Sequence, residues 1–133
     1  METFLSSWRQ QILSLLRIIT GLCILQFGTA KILKFPVIPG LANLTPTSWP
    51  AGIAGCIELV AGALLVIGLF TRPAAFILSG LMAFAYFLGH AGNNFFPIIN
   101  GGTLAIMFSF ACLYLAAAGA GPLSLDAMIR NKE

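Results

Sequence analysis

AGIAGCIELVAGALLVIGLFTRPAAF, residues 51–76, places one carboxylate inside an apolar run and then ends in a charged corner. Between Ala51 and Phe70, Glu58 is the only charged side chain, and the run matches the roughly 20 apolar residues that a bilayer-crossing helix needs. At about 1.5 Å of rise per residue, Glu58 lies on the order of 10 Å below the start of a helix beginning at Ala51. A carboxylate at that depth is costly unless it faces other helices and meets a partner. The helical wheel supplies such a face. Ala51, Ala54, Gly55, Ala61, Gly62 and Leu65 fall within about 60° of Glu58 when each residue advances by about 100°. All but Leu65 are small, so a neighbouring helix can approach closely on that side.

The rest of the chain has the same character. Its 133 residues are 59% hydrophobic and 8% charged, against about 25% charged in soluble domains. With a mean hydropathy of +0.96, this composition excludes an ordinary soluble domain. No run alternates with period two, which argues against a barrel. The formal charge of +3 is scattered, so no nucleic-acid partner is expected. Cys23, Cys56 and Cys112 lie in three different apolar segments, without a CxxC pair or metal-ligand spacing. They read as small packing residues, and no metal site is expected.

The fold class expected is all-α: one domain, an integral membrane bundle of four transmembrane helices over residues 12–33, 51–70, 73–90 and 98–119. Before the first span, Trp8 and Arg9 stand where an interfacial anchor belongs. The sequence up to Gly28-Thr29-Ala30 imitates a cleavable signal, but Arg17 interrupts the apolar core and Lys31 follows in a helical stretch, so a retained helix is expected. Arg17, Gly21, Ile24, Gly28 and Lys31 share one stripe, which should face inward. Phe35 to Pro50 holds four of the seven prolines and reads as an apolar connection lying on the interface, a short lid over the bundle or a loop without function. Thr71-Arg72-Pro73 is a tight corner, with Pro73 suited to the first position of the next helix. Residues 124–133, SLDAMIRNKE, are expected to form a short amphipathic tail.

Four spans put both termini on one side. Arg9, Arg17, Arg72, Arg130 and Lys132 lie toward that side, against Lys31 and Lys34 on the other, so the positive-inside rule makes both termini cytoplasmic. In this arrangement Lys31, Glu58, Tyr86, His90, Asn100 and Thr103 come from the noncytoplasmic half, on inward stripes of four helices. They are the candidate ligand-binding residues, and Glu58, His90 and Lys31 are the candidates for catalysis. A Lys31–Glu58 pair neutralises charge, while Tyr86, His90 and Asn100 offer donors to a carbonyl-bearing ligand or a proton path. The alternative is that these groups only hydrogen-bond to one another and tie helices together; for Asn100 the natural role is ordering a loop or helix start. Arg17 and Arg72 belong to the other half and set topology. Arg17 is expected to snorkel or to pair near the cytoplasmic surface, where Tyr114 is the nearest inward polar group.

The pieces LRIITG with Gly28 and Lys31, GCIELVAGALLVIGLFTRPAA, the His90 region, FPIINGG and AAAGAGPLSLD together resemble the DoxX family over almost the whole chain. The resemblance implies a small four-helix protein of the bacterial inner membrane, related to the DoxD-like subunits of thiosulfate:quinone oxidoreductase. It also implies possible soluble redox partners, since a mycobacterial member is associated with a superoxide dismutase and a sulfurtransferase in a complex linked to oxidative stress. The family positions carried over are Arg17, Lys31, Glu58, Arg72, His90, Asn100 and Gly101. Two functions follow as expectations. One is a membrane subunit of a quinone- or thiol-linked redox complex, in which Glu58, Lys31 and His90 manage protons beside a noncovalently bound quinone. The other is a noncatalytic scaffold, small-molecule binder or transporter-like protein, alone or as a homo-oligomer. The sequence carries no haem-ligand pair, Fe–S motif or flavin motif, so electron transfer needs a partner or a diffusible carrier.

The topology has a direct test. In a background lacking the three native cysteines, a Cys at Asn94 should react with an impermeant thiol reagent added to intact cells, and one at Asn131 should be protected. The reverse pattern contradicts the assignment.

Overall fold

In a computed structural model, which describes residues 2–132, every regular element is helical. The chain runs through α1 (Glu2–Ser7) and α2 (Arg9–Gly28), which continues as a π-helical turn, Thr29–Leu33. A connection containing a 3₁₀ turn at Pro39–Leu41 leads to α3 (Ala51–Ile67) and α4 (Thr71–Gly89). Then come the single turn α5 (Pro97–Asn100), α6 (Thr103–Ala118) and α7 (Leu125–Lys132). Two continuous helical stretches, Arg9–Leu33 with 25 residues and Thr71–Gly89 with 19, are long and apolar enough to cross a membrane. Ala51–Ile67 and Thr103–Ala118 are apolar but shorter.

Packing follows the small-residue stripes. α2 and α3 run antiparallel, α3 meets α4, α4 meets α6, and a lighter contact between α2 and α6 closes the ring. Along the α2–α3 seam glycines from both helices admit the opposite backbone. A Cβ at Gly28 would lie 2.5 Å from the Leu59 nitrogen, one at Gly21 2.9 Å from the Val66 nitrogen, and one at Gly62 3.2 Å from Leu25 Cα. Leu13, Ile24, Ala61, Leu65, Leu78, Met82, Cys112 and Leu115 fill the core. Outward-facing Leu22, Val60, Phe76, Phe87, Met107 and Phe110 leave an apolar exterior. Between α4 and α6, the Ser79 hydroxyl donates to the Ser109 carbonyl at 2.7 Å and the Ser109 hydroxyl donates back to Ser79 at 2.9 Å.

The helix ends differ from the sequence reading for local reasons. α3 stops at Ile67 because Gly68 takes a left-handed conformation, φ 74°. α4 begins at Thr71, so Pro73 is its third residue and not its first. The carboxylate of Asp126 accepts from the Phe70 and Thr71 N–H groups, both at 2.9 Å, and caps that start. Partial burial opposes the charge on Asp126, but these backbone donors and the nearby Arg17 outweigh it and hold the carboxyl below the usual aspartate range. The expected helix 98–119 is broken at Gly101 and Gly102. Gly101 is left-handed, φ 78°, and the Asn100 side chain accepts the Gly102 N–H at 2.8 Å.

Arg17 is a correction. It neither snorkels nor pairs with Tyr114, which is mostly exposed, but is itself buried, 1% exposed. Its guanidinium donates to Leu65 O at 2.9 Å, Val66 O at 3.4 Å and Leu123 O at 2.7 Å, and also to Ala120 O. The last four carbonyls of a helix have no partner within it. Leu65 and Val66 belong to that group in α3, and a cation there also complements the helix dipole. Arg72 does the same for α6, donating to Ala116 O at 3.3 Å and Ala117 O at 2.5 Å.

The seam sets a mutational contrast. Gly28→Ala should destabilise the folded protein in detergent by about 1–3 kcal/mol, because the backbone of α3 must move. Gly80→Ala, where nothing lies within 4 Å of the added carbon, should be neutral or stabilise by up to about 1 kcal/mol. Equal effects in thermal unfolding would contradict the tight α2–α3 approach.

Candidate functional site

Lys31 lies in the π-helical turn that ends the first long helix. A π turn closes i→i+5 hydrogen bonds and rotates the following side chains relative to an α-helix. The Thr29 carbonyl accepts from both Lys34 N and Phe35 N, the latter at 3.2 Å, and Lys34 ends the turn in a left-handed conformation. The Lys34 ammonium then donates to Lys31 O at 2.8 Å, Leu41 O at 3.0 Å and Leu44 O at 2.6 Å. This cation was not singled out as a site residue from sequence, yet it fastens the connecting loop to the end of the first long helix.

Lys31 itself reaches α3. Its ammonium donates to Glu58 Oε1 at 2.7 Å, the ion pair found among the described residues. Gly55, one turn before Glu58, makes room, since a Cβ there would lie 2.8 Å from Lys31 Cβ. The two partners are not equally buried: the Glu58 side chain is 4% exposed and that of Lys31 16%. Glu58 is thus the enclosed counter-charge and Lys31 the accessible member. Phe27 lies beside the ammonium, 6.0 Å from nitrogen to ring centroid.

Lys31 and His90 both line a groove of about 380 Å³ between the start of α3 and the end of α4. Its walls are otherwise apolar, chiefly Ile53, Ile57, Leu81, Phe84 and Leu88, with Trp49 and Pro50 of the connecting loop over one side. Trp49 packs edge-on against Phe84 with ring centroids 6.1 Å apart. Ligand sites for small molecules commonly have this size and this mixture of apolar walls with a few polar groups.

The remaining candidates form a second cluster. His90 Nδ1 lies 3.0 Å from the Asn100 carbonyl oxygen. A carbonyl only accepts, so Nδ1 carries the hydrogen and the neutral ring keeps Nε2 as an acceptor. The Asn100 amide donates to the Tyr86 hydroxyl at 3.2 Å and to Asn94 O at 2.9 Å. Tyr86 stacks on His90 with centroids 6.4 Å apart. Gly102 has no side chain to spare, because a Cβ there would lie 2.5 Å from the Tyr86 ring. Asn100 therefore orders the loop, as its position before two glycines suggests. Thr103 is exposed and joins neither cluster. The six candidates are thus one ion pair, one aromatic–amide cluster and one outlier, with Lys31 and His90 meeting at the groove.

An all-helical bundle with an enclosed carboxylate–ammonium pair beside an apolar groove defines a membrane-type helical protein. The chain belongs to the DoxX family, whose sequence model matches residues 12–91. It is 46% identical over 125 residues to an uncharacterized protein of Haemophilus influenzae, covering 92% of this chain and 93% of that one. A second uncharacterized protein of the same organism is 34% identical over 89 residues, 67% of this chain and 59% of its own. No solved structure matches.

The ion pair makes a specific prediction. Removing one partner of a buried pair costs about 3–5 kcal/mol, because the other charge is left uncompensated, whereas removing both is milder. Lys31→Met and Glu58→Gln should each lower the melting temperature in detergent more than the double change does. Additive losses would show that the two charges act independently.

Proposed function

We propose that the protein is a multi-pass protein of the bacterial inner membrane that binds the head group of a lipid-soluble redox carrier, a quinone or a chemically similar molecule, in the groove between α3 and α4. The observation that carries this reading is the Lys31 ammonium, held by Glu58 and still accessible at one end of an otherwise apolar groove. An ammonium is expensive to keep in an apolar site, and a ligand carbonyl gives its remaining donors something to do.

Four spans fit this reading. α3 and α6 with 17 and 16 residues reach about 25 Å, near the hydrocarbon thickness of about 30 Å, and their outward faces are as apolar as those of α2 and α4. The α5 turn extends α6 toward one interface. The excess of arginines at the terminal end argues for cytoplasmic termini. The proposed domain is therefore the whole bundle, spans 12–33, 51–70, 73–90 and 98–119, shortened and broken at their ends as described.

A quinone and its quinol suit the residues present: the apolar walls accept a ring and tail, Lys31 donates to a carbonyl oxygen of the quinone, and His90 Nε2 accepts from a hydroxyl of the reduced quinol. When bound, such a carrier supplies the two-electron chemistry that these side chains lack. Lys31, Glu58 and His90 then position the head group and hold or pass protons. Electrons come from or go to soluble redox partners. A second reading, a noncatalytic scaffold or binder, is favoured by the Tyr86–His90–Asn100 cluster, whose members satisfy one another.

Ligand binding stabilises the folded state by mass action. A soluble quinone analogue should raise the melting temperature of the wild type and raise it less in His90→Ala or Lys31→Met, each compared with its own ligand-free value. No shift with any analogue, in a protein that melts cooperatively, favours the scaffold.

A further inference from the structure

At the opposite end of the bundle lies a second cavity, which the groove reading does not use. It has a volume of about 460 Å³ and is walled by the corner Phe70–Pro73, the turn from Ala118 to Pro122, and α7. Gln10, Thr71, Arg72, Asp126 and Arg130 contribute its polar side chains. Asp126 accepts from the Phe70 and Thr71 N–H groups and keeps its negative charge, so it offsets one of the two arginines and leaves the charged lining net positive. Arg72 uses Nη1 on the last carbonyls of α6 and leaves Nε and Nη2 without a protein acceptor among the described residues. Arg130 likewise makes no hydrogen bond or ion pair to a described residue.

Among the charged side chains lining the cavity, two guanidiniums face one carboxylate. An oxyanion corrects that imbalance, and a planar guanidinium with two free donors matches a phosphate geometrically. Phe70, Pro73 and Pro122 are exposed apolar residues of its lining, so a head group can enter beside them while its acyl chains remain outside. Basic pockets between membrane helices bind anionic head groups in this way.

We propose that this cavity is a phosphate-binding site, occupied by the head group of an anionic phospholipid and gripped by Arg72 and Arg130. The phosphate chemistry rests on the cavity alone; its lipid source rests also on the spanning arrangement proposed above.

Native mass spectrometry of the full chain, released from detergent with phosphatidylglycerol, phosphatidylcholine or inorganic phosphate, tests both parts. The wild type should retain phosphatidylglycerol in preference to phosphatidylcholine. One interfacial cation contributes about fivefold in affinity, so Arg130→Gln should lose about fivefold. Arg9→Gln, which removes a charge at the same end but outside the cavity, should lose little. Arg72→Lys, which keeps the charge but not the fork, should also weaken retention; circular dichroism confirms that it is folded. If inorganic phosphate binds with the same dependence on Arg130 and displaces the lipid, the phosphate site stands and its lipid source is overturned. If Arg9→Gln and Arg130→Gln have equal effects, or neither lipid nor phosphate depends on Arg130, the site is overturned.

Discussion

The fold depends on how an apolar chain disposes of its helix-end carbonyls. In a low-dielectric surrounding an unpaired carbonyl is costly, and water is not at hand to relieve it. Arg17 solves this at the end of α3, where one guanidinium gathers Leu65, Val66, Ala120 and Leu123. Three stretches distant in sequence are thereby joined: the first long helix, the α3 terminus and the turn before α7. Arg72 at α6 and Lys34 at the π turn repeat the device. Of the seven basic residues, three are spent on closing helix ends and their adjoining loops. Ser14 helps at the same junction, accepting the Leu123 N–H at 3.1 Å.

Against that background the Lys31–Glu58 pair is different in kind. The charges on Arg17, Lys34 and Arg72 are met by backbone that must be satisfied in any case. Lys31 lies in the last turn of its helix as well, but its ammonium meets a carboxylate, itself costly to bury, in place of a carbonyl. Replacing a buried pair by apolar residues is often neutral or stabilising, so packing alone does not account for keeping one. Lys31 lines a groove that also contains His90. Lys31 lies in a π turn, and such turns are often found at functional sites.

The inward stripes of α2 and α3 were legible because they rest on period alone: Gly21, Ile24 and Gly28 of α2 and Gly55, Glu58, Gly62 and Leu65 of α3 are buried as the wheel places them, whereas the stripe expected on the fourth span is not, since Met107 and Tyr114 face outward. The Lys31–Glu58 contact was legible because a lone buried carboxylate needs a cation and only one lay at a similar depth. The partners of Arg17 were not, since they are carbonyls exposed by helix ends whose positions depend on Gly68 and on the 119–123 turn. Depth alone suggested Tyr114, which the wheel places one way and the fold another. Asn100 before Gly101-Gly102 was readable as a loop signal, whereas Thr103 followed from carrying the helix straight through those glycines. The Ser-Leu-Asp of residues 124–126 could have been read as a helix start: Ser124 accepts the Ala127 N–H at 3.1 Å. Its second role, with Asp126 capping a different helix, is tertiary and leaves no local mark.

The central functional claim is that the accessible face of Lys31 belongs to a ligand groove. It is tested most directly by photolabelling the protein in lipid vesicles with a quinone carrying a photoreactive group on its ring, then mapping the modified residues. The account predicts labels concentrated on Trp49, Ile53, Phe84 and Leu88, suppressed by excess unlabelled quinone and weakened by Lys31→Met. Labels spread over outward-facing residues such as Val60, Phe76 and Phe110, unaffected by competitor, would contradict it.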